Sequence, residues 1–375
     1  VLSTVAACAF PLLALPMTFG VTTGCQQRSS GSGSGSGSAA ACSAQATAEH
    51  TAHTVHTIRV RRRHANSGAS SAHPEGPTPL VLIHGYGMGA ASWTGSFDAL
   101  AEDGREILSI DWPGVGLSSR PRFPRGEGVP SCEDFFVERI EAWRQSIGIG
   151  RMVMLGHSFG GYFSACYAMR YPQHVEKLIL ASPVGMGPKR TGSPITDPEL
   201  RRQEPWQRRA MLSFGELLWN SSWTPQAIVR VLGPLGHRPI DAYISRRFAR
   251  SREAGTKGCD DAAMKEYVHQ LFAQPGCGEL CLGELLNFGA WAKQPLAPRL
   301  AERLQSLGTK APPLVLFYGE HDWMDPNAGV KLAEQLHGGA DVFLVEGAGH
   351  QIFVEHPLNF NATALRALAN AGPSA

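Results

Sequence analysis

The chain has 375 residues, of which 43% are hydrophobic and 18% are charged, and its formal net charge is +2 at pH 7. This composition is typical of a globular protein with a sizeable core, and the length allows one large catalytic domain or two small ones. A net charge near zero excludes a general attraction to nucleic acid, so we expect no nucleic-acid partner. The eight cysteines form no C-x-x-C pair, which favours free thiols in a reducing, intracellular compartment.

Residues 1–75 differ in composition from the rest of the chain. The opening VLSTVAACAFPLLALPMTFGV is apolar but interrupted by Pro11 and Pro16, and only Glu49 is acidic before Glu75. This pattern is typical of the apolar part of a signal peptide or of an organelle transit sequence, and SSGSGSGSGSAAA is typical of a flexible linker. We therefore expect residues 1–75 to be a low-complexity targeting or disordered segment.

Three histidines in HTAHTVHTIRVRRRH suggest a metal cluster at first sight. His50, His53 and His56 have neither a carboxylate nor a cysteine beside them, however, and VHTIRVRR alternates in the manner of an edge strand. The sequence therefore predicts a strand here and no metal site.

From Pro79 onward, apolar strand patterns alternate with helical patterns. PLVLIHG, REILSID, RMVMLGH and VEKLILAS predict four core strands, and SWTGSFDALAEDG, CEDFFVERIEAWRQSIG and residues 159–171 predict the helices between them. Strands that alternate with helices form right-handed crossovers. The expected fold class is therefore α/β, with a mostly parallel central sheet and helices on both faces.

The alternation stops between residues 185 and 300 and then returns with PPLVLFYGEHD, AGVKLAEQLHG and DVFLVEGAGH. Trp206, Trp219, Trp223 and Trp291 lie along helical patterns in the interrupted region. A helical insertion that leaves a sheet and returns to it is typical of a cap. We expect a core at residues 76–184 and 301–375, with a helical cap at 185–300 inserted after the fourth core strand.

The sequence Gly156-His157-Ser158-Phe159-Gly160 joins the third core strand to a helix. G-x-S-x-G in this position is typical of a nucleophile elbow, in which a sharp turn presents the serine. Gly156 and Gly160 are expected because side chains there would collide across the turn, and His157 is expected to pack behind it. An ordinary strand-to-helix turn is the alternative interpretation of this motif alone.

Two further motifs fit a catalytic serine. His350 in EGAGHQIF follows a late strand and is the candidate base, and Asp322 in YGEHDWMD is the candidate acid, with Asp325 as the alternative. The order Ser158, Asp322, His350 is the order of nucleophile, acid and histidine in α/β serine hydrolases. The combination predicts a serine esterase that needs no metal or redox cofactor.

The first core strand ends in HGYGMG, residues 84–89. Backbone N–H groups of Tyr86 in this loop and of Phe159 after the nucleophile are the expected oxyanion donors. His84 and Gly85 are expected to support the loop rather than to take part in proton transfer.

At these motifs the chain resembles the α/β-hydrolase fold family over residues 78–372. The cap segments TPQAIVRVLGPLG and EYVHQLFAQPGCGELCLGELLNFGAWAKQPLAPRL, followed by YGEHDWMD, are similar to a lipid-metabolising group. That group contains lysophospholipases, N-acyl-phosphatidylethanolamine lipases, a lipid-droplet lipase coactivator and plant lysophosphatidic-acid acyltransferase-like proteins. The resemblance implies an acyl-lipid substrate and a cap that forms an acyl channel. It implies nothing about the oligomeric state. Because the catalytic region shows no spanning stretch, we expect any contact with a membrane or lipid droplet to be peripheral, through the cap or the N-terminal segment.

The resemblance leaves three functions open. The first is a serine carboxylic-ester hydrolase acting on (lyso)phospholipid-type acyl esters. The second is acyl transfer to lysophosphatidic acid with acyl-CoA as co-substrate, which the group associates with an H-x-x-x-x-D pattern; here HQIFVE places Glu355 after His350 instead. The third is a non-catalytic lipid-surface protein that regulates a lipase, although that branch has asparagine where this chain has Ser158. Epoxide hydrolases and dehalogenases use an aspartate nucleophile, and both are disfavoured because this chain has Ser158 at that position.

Overall fold

The computed structural model describes residues 53–61, 77–188, 192–221, 223–256, 260–336 and 339–369. Most of the predicted targeting segment, including the glycine-serine linker and His50, lies outside these residues. The described strands are β1 (Thr57–Val60), β2 (Leu80–Ile83), β3 (Ile107–Ile110), β4 (Met152–His157), β5 (Val175–Ala181), β6 (Leu286–Asn287), β7 (Trp291–Ala292), β8 (Leu314–Gly319) and β9 (Asp341–Val345).

Seven of these strands form one sheet in the order β1-β3-β2-β4-β5-β8-β9. Every neighbouring pair is parallel except β1 and β3, which are antiparallel. Successive side chains of β2 enter opposite cores: Val81 and Ile83 pack in the same cluster as Phe163, while Leu80 and Leu82 pack with Phe360. Burial on both faces is typical of a parallel sheet covered by helices.

The helices cover both faces of this sheet and build the inserted segment. They are α1 (Phe97–Leu100), α2 (Gly128–Ser146), α3 (Phe159–Arg170), α4 (Pro198–Gln203), α5 (Trp206–Asn220), α6 (Pro225–Leu232), α7 (His237–Arg247), α8 (Ala249–Glu253), α9 (Asp261–Ala273), α10 (Cys281–Leu285), α11 (Leu296–Leu307), α12 (Pro326–Gln335), α13 (Ile352–Glu355) and α14 (Pro357–Ala369).

The inserted segment connects two neighbouring strands of the sheet. The chain leaves after β5 and returns at β8, and β6 and β7 form a separate two-stranded sheet between them. The parallel sheet, the helices on both faces and this helical insertion confirm the predicted fold class.

Three details differ from the sequence predictions. Trp223 and Trp291, expected along helical patterns, lie outside the helices. Trp223 follows α5. Trp291 lies in β7, because Gly289 and Ala290 have positive φ and form a turn between β6 and β7.

The helix expected in SWTGSFDALAEDG is a 3₁₀ helix at Ala90–Ser96 followed by only one α-helical turn in α1, since serine, threonine and glycine are weak helix formers. The edge strand expected in VHTIRVRR is present as β1, and it lies before the core boundary expected at residue 76. The sheet therefore begins earlier in the chain than that boundary.

Candidate active site

Ser158 lies at the sharp turn between β4 and α3. Its φ is +53° and its ψ is −115°, a conformation that residues other than glycine rarely adopt. Such backbone strain costs on the order of 1–3 kcal/mol and persists only where the surrounding structure holds it. The predicted elbow therefore has the strained backbone that a nucleophile elbow requires.

Three glycines allow this turn to form close to the loop after β2. A Cβ atom on Gly160 would lie 2.2 Å from the carbonyl oxygen of Ile83, and one on Gly156 would lie 2.3 Å from the carbonyl oxygen of Gly160. A Cβ atom on Gly85 would lie 2.6 Å from Nδ1 of His157. Because these three positions carry no side chain, the serine and the predicted oxyanion loop can lie close together.

The structure brings Ser158, His350 and Asp322 into one hydrogen-bonded chain. Oγ of Ser158 lies 3.1 Å from Nε2 of His350, and Nδ1 of His350 lies 2.9 Å from Oδ1 of Asp322. The side chain of Asp322 is completely buried and that of His350 is 8% exposed. In this arrangement the imidazole can accept the serine proton while the carboxylate holds the ring in position.

The environment of Asp322 keeps its carboxyl group ionised. Burial alone would raise its pKa, but hydrogen bonds and electrostatic interactions, chiefly those with His350, together outweigh burial and hold the pKa below its usual value. The backbone N–H of Met324, 3.0 Å from Oδ1, and the hydroxyl of Ser182 lower the pKa further.

Asp325, the alternative acid, has a different role. Its Oδ1 accepts the backbone N–H of Asn327 at 3.0 Å and caps the N-terminus of α12. The structure thus places Asp322, and not Asp325, against the histidine.

Two neighbours of the triad, Ser182 and Trp323, were not predicted from the sequence. Ser182 follows β5, is fully buried and has a φ of +48°. The sequence signal for Ser182 was its position directly after β5, the strand that neighbours β8 in the sheet. The ring of Trp323 lies 5.0 Å from that of His350, centroid to centroid, and its side chain is half exposed. Trp323 therefore covers part of the imidazole on the solvent side.

The two residues predicted to supply oxyanion donors are neighbours. The rings of Tyr86 and Phe159 have their centroids 5.6 Å apart. Phe159 is the first residue of α3, where backbone N–H groups have no acceptor within the helix. The hydroxyl of Tyr86 donates to Oε1 of Gln226 in α6 at 2.8 Å, which ties the loop after β2 to the inserted segment.

His84 and His157 are both buried and neutral. Burial lowers the pKa of His84 to about 4 against the opposing effect of Asp111, and the indole N–H of Trp112 donates to its Nδ1 at 2.7 Å. Burial and the nearby His350 hold the pKa of His157 well below its usual value, and its Nε2–H donates to the backbone carbonyl of His350 at 2.8 Å. Both rings therefore support the site without titrating near pH 7.

Glu355 faces the backbone of the loop that carries His350. Its Oε2 accepts the N–H of Gly349 at 2.9 Å and its Oε1 accepts the N–H of Gln351 at 2.8 Å. The guanidinium of Arg247, from α7, lies 3.7 Å from the same carboxylate. Both carboxylate oxygens are thus engaged with the loop.

Asp111, at the end of β3, connects three segments around the site. Its carboxylate accepts the N–H groups of Ala90 at 2.7 Å and Leu117 at 3.0 Å, and it lies 2.8 Å from Nδ1 of His56. His56 therefore has a structural partner.

Over the described ranges, no three His, Cys, Asp or Glu side chains are grouped to hold a metal ion. In the same part of the chain, no helix has the length and apolar character needed to span a membrane.

Comparison with known proteins identifies the family of the chain. The chain is 34% identical to 1-acylglycerol-3-phosphate O-acyltransferase from Arabidopsis thaliana over 294 residues, covering 78% of this chain and 67% of that protein. It is 35% identical to (lyso)-N-acylphosphatidylethanolamine lipase from Mus musculus over 294 residues, covering 76% of this chain and 77% of that protein.

A solved structure of 2-hydroxy-6-oxo-6-phenylhexa-2,4-dienoate hydrolase from Rhodococcus superposes with a TM-score of 0.59 at 16% identity, covering 85% of this chain and 95% of that chain. This similarity concerns the fold alone. Residues 78–357 match the family model described as alpha/beta hydrolase fold. The chain therefore belongs to the α/β-hydrolase fold family, as its sequence motifs predicted.

Proposed function

We propose that the protein is a serine hydrolase that cleaves the carboxylic ester of a (lyso)phospholipid-type acyl lipid through an acyl-enzyme on Ser158. The observation that carries this proposal is the contact series from Ser158 Oγ to His350 Nε2 at 3.1 Å and from His350 Nδ1 to Asp322 Oδ1 at 2.9 Å.

In the proposed reaction, Nε2 of His350 accepts the proton of Ser158 as its oxygen attacks the ester carbonyl. Ionised Asp322 stabilises the resulting imidazolium. Backbone N–H groups of Tyr86 and Phe159 donate to the oxyanion, and each such donor contributes about 3 kcal/mol. The imidazolium returns the proton to the leaving alcohol. Water, deprotonated by the same ring, then attacks the acyl-enzyme, and the ring returns this proton to Oγ of Ser158 as the fatty acid leaves.

An acyl-lipid substrate is supported by the names of the relatives. The plant and mouse relatives carry names for acyl chemistry on glycerophospholipids.

Acyl transfer from acyl-CoA to lysophosphatidic acid is the second candidate, and the name of the plant relative favours it. Against it, both oxygens of Glu355 accept backbone N–H groups, so this carboxylate is not free to act on an acyl acceptor. A non-catalytic, lipase-regulating role is the third candidate, and the hydrogen-bonded Ser158 argues against it.

The test is product analysis with the purified full chain and labelled lysophosphatidic acid, with and without acyl-CoA, beside Ser158→Ala. We expect free fatty acid from the wild type alone and fluorophosphonate labelling that the variant loses. Phosphatidic acid formed only with acyl-CoA would establish transfer instead. A folded wild type that neither labels nor turns over any ester would reject the enzyme.

A further inference from the structure

One stretch of the inserted segment carries most of the exposed large apolar side chains in the described part of the chain. Nine of the fourteen lie between residues 206 and 243, and each is 40–71% exposed. They are Trp206, Met211, Phe214, Leu217, Trp223, Val231, Leu232, Leu235 and Tyr243. Single exposed apolar residues need no explanation, but a concentration of this kind is typical of a binding surface.

Helix α5 shows that the fold itself does not use these side chains. The helix contacts the rest of the protein through Trp219, whose indole N–H donates to the carbonyl of Leu286 at 3.2 Å, and through Glu216, whose carboxylate pairs with Arg201. None of its fifteen residues is buried, and Phe214 and Leu217 are each 61% exposed. An amphipathic helix normally turns its apolar stripe toward the core. In α5, by contrast, the apolar side chains of Met211, Phe214 and Leu217 face solvent.

The same stretch is strongly basic. Residues 206–256 contain eight arginines and three acidic residues, a net charge of +5, whereas the other 324 residues carry a net charge of −3. Four of the arginines are exposed and have no carboxylate oxygen within 4.0 Å among the residues described. These are Arg209, Arg238, Arg246 and Arg250.

We propose that residues 206–221 and 223–256, together called the cap surface, dock the protein onto an anionic phospholipid bilayer. Exposed tryptophan, phenylalanine and leucine beside arginine is the composition of helices that lie in a membrane interface. Arginines without a carboxylate partner gain most from negative lipid head groups, each adding to the attraction near the surface. A second copy that docked through the same surface would bring two segments of net charge +5 together, whereas negative lipid head groups attract such a segment. The charge therefore favours a bilayer over a second copy of the chain.

The cap surface is also continuous with the candidate active site. Only a short connection separates the end of α5 from Gln226, which accepts the hydrogen bond from Tyr86 in the predicted oxyanion loop. Thr224, in that connection, donates to Glu279 at 2.6 Å. Docking would thus place the site beside the phase that contains an acyl-lipid substrate, which is the part of the inference that rests on the proposed function.

The experiment is co-flotation of the full chain with vesicles of phosphatidylcholine alone or mixed with phosphatidylserine. The apolar variant is Met211→Gln/Phe214→Gln and the charge variant is Arg246→Gln/Arg250→Gln. The matched control is Leu344→Gln/Leu358→Gln, whose side chains are 59% and 78% exposed but lie outside the cap surface. Turnover of a water-soluble short-chain ester reports on the folded site in each variant.

We expect the apolar variant to bind both vesicle types at least about tenfold more weakly. The charge variant should lose about tenfold on the anionic vesicles only. The control should bind as the wild type does. Equal binding of the apolar variant and the wild type overturns the proposal, as does a concentration-dependent dimer that this variant abolishes. Vesicle binding without turnover of any ester would reject the proposed function and retain the docking surface.

Discussion

Glu355 holds the backbone on both sides of His350 by accepting the N–H groups of Gly349 and Gln351. The carboxylate is nearly completely buried, and a Cβ atom on Gly349 would lie only 2.4 Å from Oε2. Glu355 is therefore a positioning residue, which acts on the reaction through the histidine loop and not on the substrate.

Glu355→Gln should lower kcat for a soluble ester about tenfold and leave KM unchanged. The amide can accept only one of the two N–H groups, and a hydrogen bond to a charged acceptor is worth about 1.5–3 kcal/mol. Glu346→Gln, an exposed substitution near the same loop, is the control. An unchanged kcat in Glu355→Gln would show that the loop holds its position without this bridge.

Glu355→Asp restores the H-x-x-x-x-D pattern and makes a separate prediction. The shorter side chain cannot span both N–H groups, so hydrolysis should fall and no phosphatidic acid should form from lysophosphatidic acid and acyl-CoA. The measurement is chromatography of both lipid products from one reaction. Appearance of phosphatidic acid would mean that an aspartate here supports transfer directly.

The two aspartates near β8 should differ sharply. Asp322→Asn should reduce kcat on the order of 10³–10⁴-fold, because the amide no longer stabilises the imidazolium. Asp325→Asn keeps a side-chain oxygen that can accept the Asn327 N–H at the cap of α12, so kcat should stay near the wild-type value. Steady-state kinetics on a soluble ester compares the pair. Similar losses in both variants would contradict the assignment of Asp322.

His84 should make stability depend on pH. Its pKa is about 4 in the folded protein, whereas an unfolded histidine has a pKa of about 6.5. Between these values the unfolded chain binds more protons, so the free energy of unfolding falls as the pH decreases from 6.5 to 4. The full loss from this residue is on the order of 3 kcal/mol.

Chemical denaturation at a series of pH values measures this effect. His84→Gln should flatten the pH dependence across that window, whereas His321→Gln, a partly exposed histidine, should leave it unchanged. Identical slopes for His84→Gln and the wild type would show that His84 contributes nothing to it.

Two glycine substitutions separate the elbow from an ordinary surface position. Gly160→Ala should destabilise the protein by about 3 kcal/mol or more, because its Cβ would lie 2.2 Å from the carbonyl oxygen of Ile83. A Cβ atom on Gly150 would have no other atom within 4 Å, so Gly150→Ala should be neutral or stabilise the protein by about 0.5 kcal/mol. Thermal unfolding of the pair gives the comparison, and equal melting temperatures would contradict the close packing at the elbow.

The sequence was sufficient for the features that depend on local pattern. Apolar runs predicted the sheet strands, and G-x-S-x-G predicted the turn at Ser158, because such a turn allows few residue types. The choice between Asp322 and Asp325 needed coordinates, since both follow β8 and only the path of the loop decides which carboxylate reaches His350. The roles of Ser182 and Glu355 were not predicted, because they depend on backbone groups brought together from different elements. The cap bounds at 185 and 300 stay a prediction.

Strand β1 makes residues 57–60 part of the folded unit. A chain shortened to residues 78–357 would uncover the outer edge of β3, and unpaired strand edges invite association between molecules. The truncation would also remove His56, the partner of Asp111, and the Asp111 carboxylate holds Ala90 beside the predicted oxyanion loop. At the other end it would remove most of α14, including the buried Phe360. Truncation to the residues that match the family model is therefore expected to lower solubility and to disturb the geometry around Ser158.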